Sequence, residues 1–123
     1  PKDKIGRALF LSSSFLTLEE RMSFVEIRTY ELKPGMANSY VGLYLEEGFE
    51  IQKSHLGEPV GYYVSEVGDL NQIVHMWRYE SFEERAEKRT ALFSDPAWLE
   101  YVGKVGPMIL NQKNAIFNDI FDS

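Results

Sequence analysis

Two histidines, His55 and His75, are the only side chains of the sequence whose ordinary pKa lies near neutrality. His75 falls in a run that alternates as a β-strand does, on the same side as Trp77 and Tyr79. A histidine among aromatic rings could withdraw a proton from a ligand, so His75 is our candidate catalytic residue. The alternative is a partly buried histidine whose nitrogens are satisfied by neighbours. We interpret His55, beside Gly57 after the first predicted helix, as a surface or helix-capping residue.

Other kinds of catalytic and metal site find no support in the sequence. Cysteine is absent, which excludes thiol nucleophiles and thiolate metal ligands. Two histidines without a third ligand at suitable spacing make a poor metal site, and we expect neither metal nor cofactor. The Gly103-x-x-Gly106 pair lacks the lysine that a phosphate-binding loop would need.

Aromatic and arginine side chains offer a surface for a flat ligand, which their hydroxyl and indole groups could orient. For each ring the alternative is an ordinary place in the core. Arg85 and Arg89 lie one turn apart on a predicted helix and could bind an anion. Pairing with Glu84, Glu87 or a carboxylate of the first strand is the alternative that we favour. The predicted ligand-binding residues are Tyr30, Tyr44, Tyr63, Trp77, Tyr79, Arg89, Phe93 and Trp98.

Composition narrows the class of protein. A chain of 123 residues with 44% hydrophobic residues is the size and make-up of one globular domain. A net charge of −6, with no local cluster of Lys and Arg, argues against binding to nucleic acid. The longest apolar run is shorter than the roughly 18 residues of a membrane-spanning helix. The lack of cysteine fits a reducing compartment, and we expect a cytoplasmic protein.

Residues 1–21 differ from the rest of the chain. They combine a basic start with an apolar, serine-rich middle, and Met22 directly precedes the first convincing strand. Because the chain opens at Pro1, we interpret this segment as vector-derived or translated upstream sequence. A signal peptide and a genuine arm that packs on the domain are the alternatives. We assign residues 22–123 to a single domain.

The pattern of that domain predicts the element order β, α, β, β, α, β, which is typical of a ferredoxin-like α+β fold with a four-stranded antiparallel sheet. A capping box at Ser81 and an Asp95-Pro96 pair mark the starts of two helical pieces late in the chain. The inner side of the first of these pieces is predicted to carry Phe82, Ala86, Arg89 and Phe93. The predicted elements are strands at 24–32, 60–67, 73–79 and 112–121, and helices at 36–53, from 82 and from 96.

Both faces of the predicted sheet carry large side chains. In the third strand Val74 and Met76 point one way, while Ile73, His75 and Trp77 point the other. An antiparallel sheet that is wet on one side should alternate between apolar and polar residues, and this one does not. Since the helices cover one face only, we predict a homodimer in which two sheets stack face to face.

Several motifs in the correct order resemble the NIPSNAP family, over about residues 24–118. The resemblance implies a dimeric α/β barrel, a fold shared with antibiotic-biosynthesis-type monooxygenases, although the ending at 120–123 departs from the family's Phe-Ser-Pro. We therefore expect a domain that binds a small apolar ligand or a protein partner. The alternative is a cofactor-free monooxygenase or isomerase acting on an aromatic or polyketide-like compound. The motifs are Glu26-Ile27-Arg28-Thr29-Tyr30, Leu32-Lys33-Pro34-Gly35, His75-Met76-Trp77-Arg78-Tyr79, Glu84-Arg85, Arg89, Asp95-Pro96-x-Trp98 and Gln112-Lys113-Asn114.

Overall fold

The computed structural model describes residues 23–121, so the predicted N-terminal segment at 1–21 lies outside the described residues. No helix within 23–121 has the length and apolar character that crossing a membrane requires. The elements are β1 Phe24–Leu32, α1 Ala37–Leu43, a π-helical turn Tyr44–Gly48, α2 Phe49–Leu56, β2 Gly61–Val64, β3 Gln72–Tyr79, α3 Phe82–Phe93, α4 Pro96–Val105, a 3₁₀ turn Gly106–Met108 and β4 Ile109–Asn118.

The four strands form one antiparallel sheet in the order β2-β3-β1-β4. This topology confirms the predicted ferredoxin-like α+β fold. The last strand was predicted at 112–121, but it begins at Ile109, which pairs with Leu32 across a β-bulge. The bulge extends the pairing by three residues beyond what the apolar pattern indicates. At the other end, the Asp119 N–H donates to the Ser23 carbonyl, beyond the last paired residue.

Side-chain caps begin the last two helices at the predicted positions. The Ser81 hydroxyl accepts from the Glu84 backbone N–H at 3.0 Å, and Asp95 accepts from the Ala97 N–H at 2.9 Å with Pro96 in the first turn. The Glu84 carboxylate also accepts from the Glu80 N–H at 2.7 Å.

The first helical region is longer than predicted and is interrupted by the π-helical turn. A Cβ built on Gly48 would lie 2.6 Å from Cζ of Tyr101 and within 2.9 Å of two further ring atoms. Helix α4 therefore packs directly against the backbone of this turn. A Cβ built in the same way on Gly42, in α1, would meet no atom of another part of the fold within 4 Å. The two glycines, which sequence alone treats alike, consequently have different roles.

Replacing each glycine by alanine is expected to change stability in opposite directions. Gly48→Ala should lower the free energy of unfolding by about 1–3 kcal/mol, because the buried Tyr101 ring has to move. Gly42→Ala should raise it by about 0.5–1 kcal/mol through better helix propensity. Urea unfolding monitored by circular dichroism measures both values. A stabilised Gly48→Ala would show that α4 does not pack here as described.

The core lies between the helices and the sheet face that carries Phe24, Leu32, Ile73, Trp77 and Tyr79, all at most 3% exposed. The predicted inner side of α3 is only partly correct, because Arg89 does face the sheet but the two phenylalanines are largely exposed. Phe82 and Phe93 are 60% and 44% exposed, whereas Leu92 is 1% exposed. The helix is turned so that Arg85, Arg89 and Leu92 face the sheet, because a buried strand carboxylate bonds Arg85.

The centre of the opposite sheet face is apolar and lies away from the helices. Val25 and Ile27 of β1 and Val74 and Met76 of β3 are half-buried there, side by side in the central strands. At the two edges, Tyr63 is 55% and Phe117 is 57% exposed. We call the surface formed by these six residues the open sheet face. No part of residues 23–121 covers it, and the predicted homodimer stays a prediction.

Candidate ligand-binding site

A cavity of about 290 Å³ lies between the sheet and the helices. Strands supply its floor, since alternate residues of β1, β2 and β3 point toward the helices. Helices α1, α2, α3 and α4 supply its walls. The lining includes Arg28, Tyr30, Tyr40, Gln52, Tyr62, His75, Arg89, Phe93, Trp98, Tyr101, Val102 and Gln112.

The structure brings together five of the nine predicted site residues, namely Tyr30, His75, Arg89, Phe93 and Trp98. The other four do not line this cavity. Trp77 and Tyr79 are fully buried in the core, and Tyr44 and Tyr63 line a second, apolar pocket of about 250 Å³ beside β2. Sequence reasoning could not separate the two groups, because alternation assigns a face and not a distance to an opening.

His75 is 1% exposed and is held by aromatic neighbours. The Tyr62 ring stacks on the imidazole with centroids 4.6 Å apart, and Tyr30 meets it edge-on at 4.9 Å. The Trp77 indole N–H donates to His75 Nδ1 at 2.7 Å. Burial, assisted by the positive charge of Arg28, lowers the pKa of His75 to about 3. The imidazole is therefore neutral throughout the physiological range.

Tyr40 and Gln52 supply polar lining that the sequence-based prediction of the site missed. The Tyr40 and Tyr62 hydroxyls share a hydrogen bond of 2.7 Å, and the Tyr44 hydroxyl donates to Gln52 Oε1 at 2.6 Å. Burial raises the pKa of both Tyr40 and Tyr62, so these hydroxyls stay protonated. Tyr40 was not among the predicted ligand-binding residues. Its hydroxyl, which needs a partner when buried, was the available signal.

A buried carboxylate, Glu26, organises the arginines beside the cavity. It is 0% exposed and accepts from Arg85 Nε and Nη2 at 2.9 and 3.0 Å, from Arg28 Nη1 at 3.1 Å and from Asn114 Nδ2 at 2.8 Å. Burial would raise the pKa of Glu26, but the hydrogen bonds from Arg85 and Asn114 and the two arginine charges outweigh it and lower the pKa to about 2. The carboxylate predicted for Arg85 is thus one from the first strand.

Positive charge exceeds negative charge around the cavity. Glu26 is shared by Arg28 and Arg85, while Arg89 makes no ion pair with any residue between 23 and 121. Its guanidinium carbon instead lies 5.3 Å from the centre of the Phe93 ring. His55, as expected, has a structural contact, with Nε2 2.8 Å from Asp95 Oδ2 at the start of α4. Within the described part of the chain, no group of His, Asp and Glu is placed to hold a metal ion.

Fold and site together define a ferredoxin-like α+β domain with a small cavity between its sheet and its helices. The NIPSNAP family model matches residues 25–120, and the chain belongs to the NIPSNAP family. A NipSnap homolog from Dictyostelium discoideum is 43% identical over 79 residues, which are 64% of this chain and 34% of that protein. Human NipSnap homolog 3A is 36% identical over 93 residues, 73% of this chain and 37% of that protein. The chain therefore spans about a third of the length of these curated relatives.

Solved structures support the same assignment. A NIPSNAP family protein of unknown function from Agrobacterium tumefaciens is 47% identical, with a TM-score of 0.78 over 80% of this chain and 88% of that one. An uncharacterized NIPSNAP-like domain protein from Burkholderia xenovorans is 38% identical, with a TM-score of 0.78 over 80% and 86%.

A more distant likeness concerns the fold alone. A putative antibiotic biosynthesis monooxygenase from Caulobacter crescentus has a TM-score of 0.60 at 10% identity, over 80% of this chain and 91% of that one. Such a likeness carries no information about residues that react. Monooxygenase or isomerase activity thus remains a prediction from the sequence, as does a catalytic role for His75.

Proposed function

We propose that this NIPSNAP domain binds a small, flat, largely apolar molecule in the cavity between sheet and helices, and that it does so as a homodimer. The observation that carries the first part is the cavity itself, which the domain keeps open between close-packed layers. At about 290 Å³ it sits at the small end of ligand sites, roughly 300–1,000 Å³. That volume favours a ligand of one or two rings.

The walls suit an aromatic ligand. Tyr30 and Tyr62 on the floor and Phe93 and Trp98 on the helices line the cavity with ring surfaces. Aromatic rings prefer offset-stacked or edge-on neighbours, and the existing pairs around His75 already use both arrangements. A flat ligand would extend this stack, with the chain contributing rigid side chains that lose little entropy on binding.

Filling the cavity from within is expected to abolish binding. We choose Val102→Trp, because Val102 of α4 lines the cavity, and Leu99→Trp as its control, because Leu99 lies on the same helix and is 51% exposed. With 2-naphthol as the probe, calorimetry should show at least about tenfold weaker binding for Val102→Trp and unchanged binding for Leu99→Trp. Native mass spectrometry of the purified wild type should also show a retained small molecule.

Two results would count against this proposal. One is 2-naphthol binding that survives Val102→Trp, because the probe would then sit elsewhere. The other is an equal loss in both variants, which would indicate a general effect of the added indole. Circular dichroism of both variants verifies that the comparison is made between folded proteins.

The homodimer part of the proposal rests on the open sheet face. Its centre, formed by neighbouring residues of β1 and β3, is apolar and has no helix over it among the described residues. A second copy offers an equally apolar and equally twisted surface, so that one two-fold axis buries both. Stacked sheets would leave the cavity untouched, because it lies on the other face of the sheet, between the sheet and the helices.

A further inference from the structure

The imidazole of His75 has one possible neutral form in this environment. An indole nitrogen can only donate, so the 2.7 Å contact from Trp77 Nε1 makes His75 Nδ1 the acceptor. A neutral imidazole carries a single N–H, which must then be on Nε2. His75 therefore presents a donor, not a lone pair, from its second nitrogen. That nitrogen is buried and has no hydrogen-bond partner within residues 23–121.

Two further polar groups of the cavity are donors as well. Trp98 Nε1 is buried and also has no partner in the described part of the chain. Arg89, on the facing helix, lines the same cavity and can only donate. Buried donors without partners cost free energy unless something else accepts from them. Two such donors and the Arg89 guanidinium line one cavity, which therefore calls for a ligand with accepting oxygens.

Charge narrows the choice of acceptor further. The one buried carboxylate among residues 23–121, Glu26, already accepts from Arg85, Arg28 and Asn114, and none of its bonds goes to Arg89. The guanidinium of Arg89 can therefore pair with an anionic ligand in the cavity. A planar carboxylate matches a guanidinium with two parallel hydrogen bonds, and it fits a narrow space between rings better than a tetrahedral anion.

We infer that the ligand is an aromatic carboxylate whose oxygens accept from His75 Nε2–H, Trp98 Nε1–H and Arg89. The inference rests on the proposed function, since it names the chemical class of the molecule in the same cavity. In this arrangement His75 binds and orients the ligand and does not withdraw a proton from it. The neutral imidazole leaves the net positive charge of the site to the arginines.

A pair of probes with the same shape tests the charge. Calorimetry should give 2-naphthoate an affinity at least about tenfold higher than that of 2-naphthamide. Arg89→Gln should remove most of this difference by weakening naphthoate alone. Lys88→Gln is the matched control, because Lys88 is the adjacent residue of α3, has the same charge and does not line the cavity. Equal affinities for the two probes, or no effect of Arg89→Gln, would overturn the inference while leaving the proposed function intact.

Nuclear magnetic resonance tests the tautomer without any ligand. Long-range ¹H–¹⁵N spectra should show His75 with an unprotonated Nδ1 and a protonated Nε2 from about pH 5 to 8. His55→Gln identifies which of the two histidines gives which signals. On addition of 2-naphthoate, the Nε2 hydrogen should move downfield. An Nδ1–H form, or protonation within this range, contradicts the assigned donor. If neither probe binds in the cavity, the proposed function fails together with the inference.

Discussion

Replacing Glu26 by glutamine is expected to lower the free energy of unfolding by about 3–5 kcal/mol, because it leaves two half-buried arginines without the buried carboxylate that they share. Glutamine keeps the size and shape of the side chain, so the change isolates the charge. Its amide nitrogen would also face the Arg85 or Asn114 donors that now bond a carboxylate oxygen. Urea unfolding provides the measurement.

Glu47→Gln serves as the control for Glu26→Gln. Glu47 also bonds a cation, with its Oε1 2.6 Å from Lys104 Nζ, but the side chain is 35% exposed. Because surface pairs contribute about 0–1 kcal/mol, this variant should be close to the wild type. Equal stabilities of the two variants would show that Glu26 is not the organising group of the arginines.

The same carboxylate makes stability depend on pH. Its pKa is about 2 in the folded protein, against 4.5 ordinarily, so the unfolded chain binds the proton more tightly. The contribution of Glu26 is therefore complete above the ordinary pKa and is lost as the pH falls from there through about 2. Glu26→Gln should show a shallower loss of stability over this interval than the wild type. A parallel pair of curves would contradict the lowered pKa.

Replacing Ile27 by aspartate is expected to convert the proposed homodimer into a monomer. Ile27 lies opposite Met76 in the middle of the open sheet face, and a two-fold axis would bury two such carboxylates. Each buried, unpaired charge costs several kcal/mol. The two charges together would therefore exceed the free energy of association of a dimer of ordinary affinity. Sedimentation equilibrium at micromolar concentration measures the change.

Leu99→Asp is the matched control for Ile27→Asp, since it places the same charge on the exposed side of α4. We expect it to remain dimeric. A wild-type protein that is monomeric at micromolar concentration would contradict the face-to-face dimer. An Ile27→Asp dimer would mean that the copies associate through another surface, and circular dichroism would verify that the variant is folded.

Local patterns in the sequence were sufficient for the order and type of the elements. Alternation placed β1 at its observed bounds, and the Ser81 and Asp95 caps marked the starts of α3 and α4. The family motifs lie mainly in these segments, which is why the fold and family followed together. Each of these signals depends on residues within a few positions of one another, where backbone geometry decides the outcome.

Contacts between distant residues decided the site. Glu26 bonds Arg85 and Asn114, which are 59 and 88 residues away, and this bonding turns α3 so that Leu92 is buried and Phe82 is not. Tyr101 packs against Gly48 at the end of the π-helical turn, and these two residues are also remote in sequence. The Trp77–His75 contact is local, but its depth of burial depends on the helices above it.

The sequence by itself thus determined the sheet, its two-sided character and the helix starts. Only the tertiary structure decided which rings surround the cavity, which carboxylate bonds the arginines and which nitrogen of His75 accepts a hydrogen bond. The reason is physical. Hydrophobic periodicity specifies which face a residue occupies, whereas hydrogen-bond partners and pKa values depend on distances that exist only after the layers have packed.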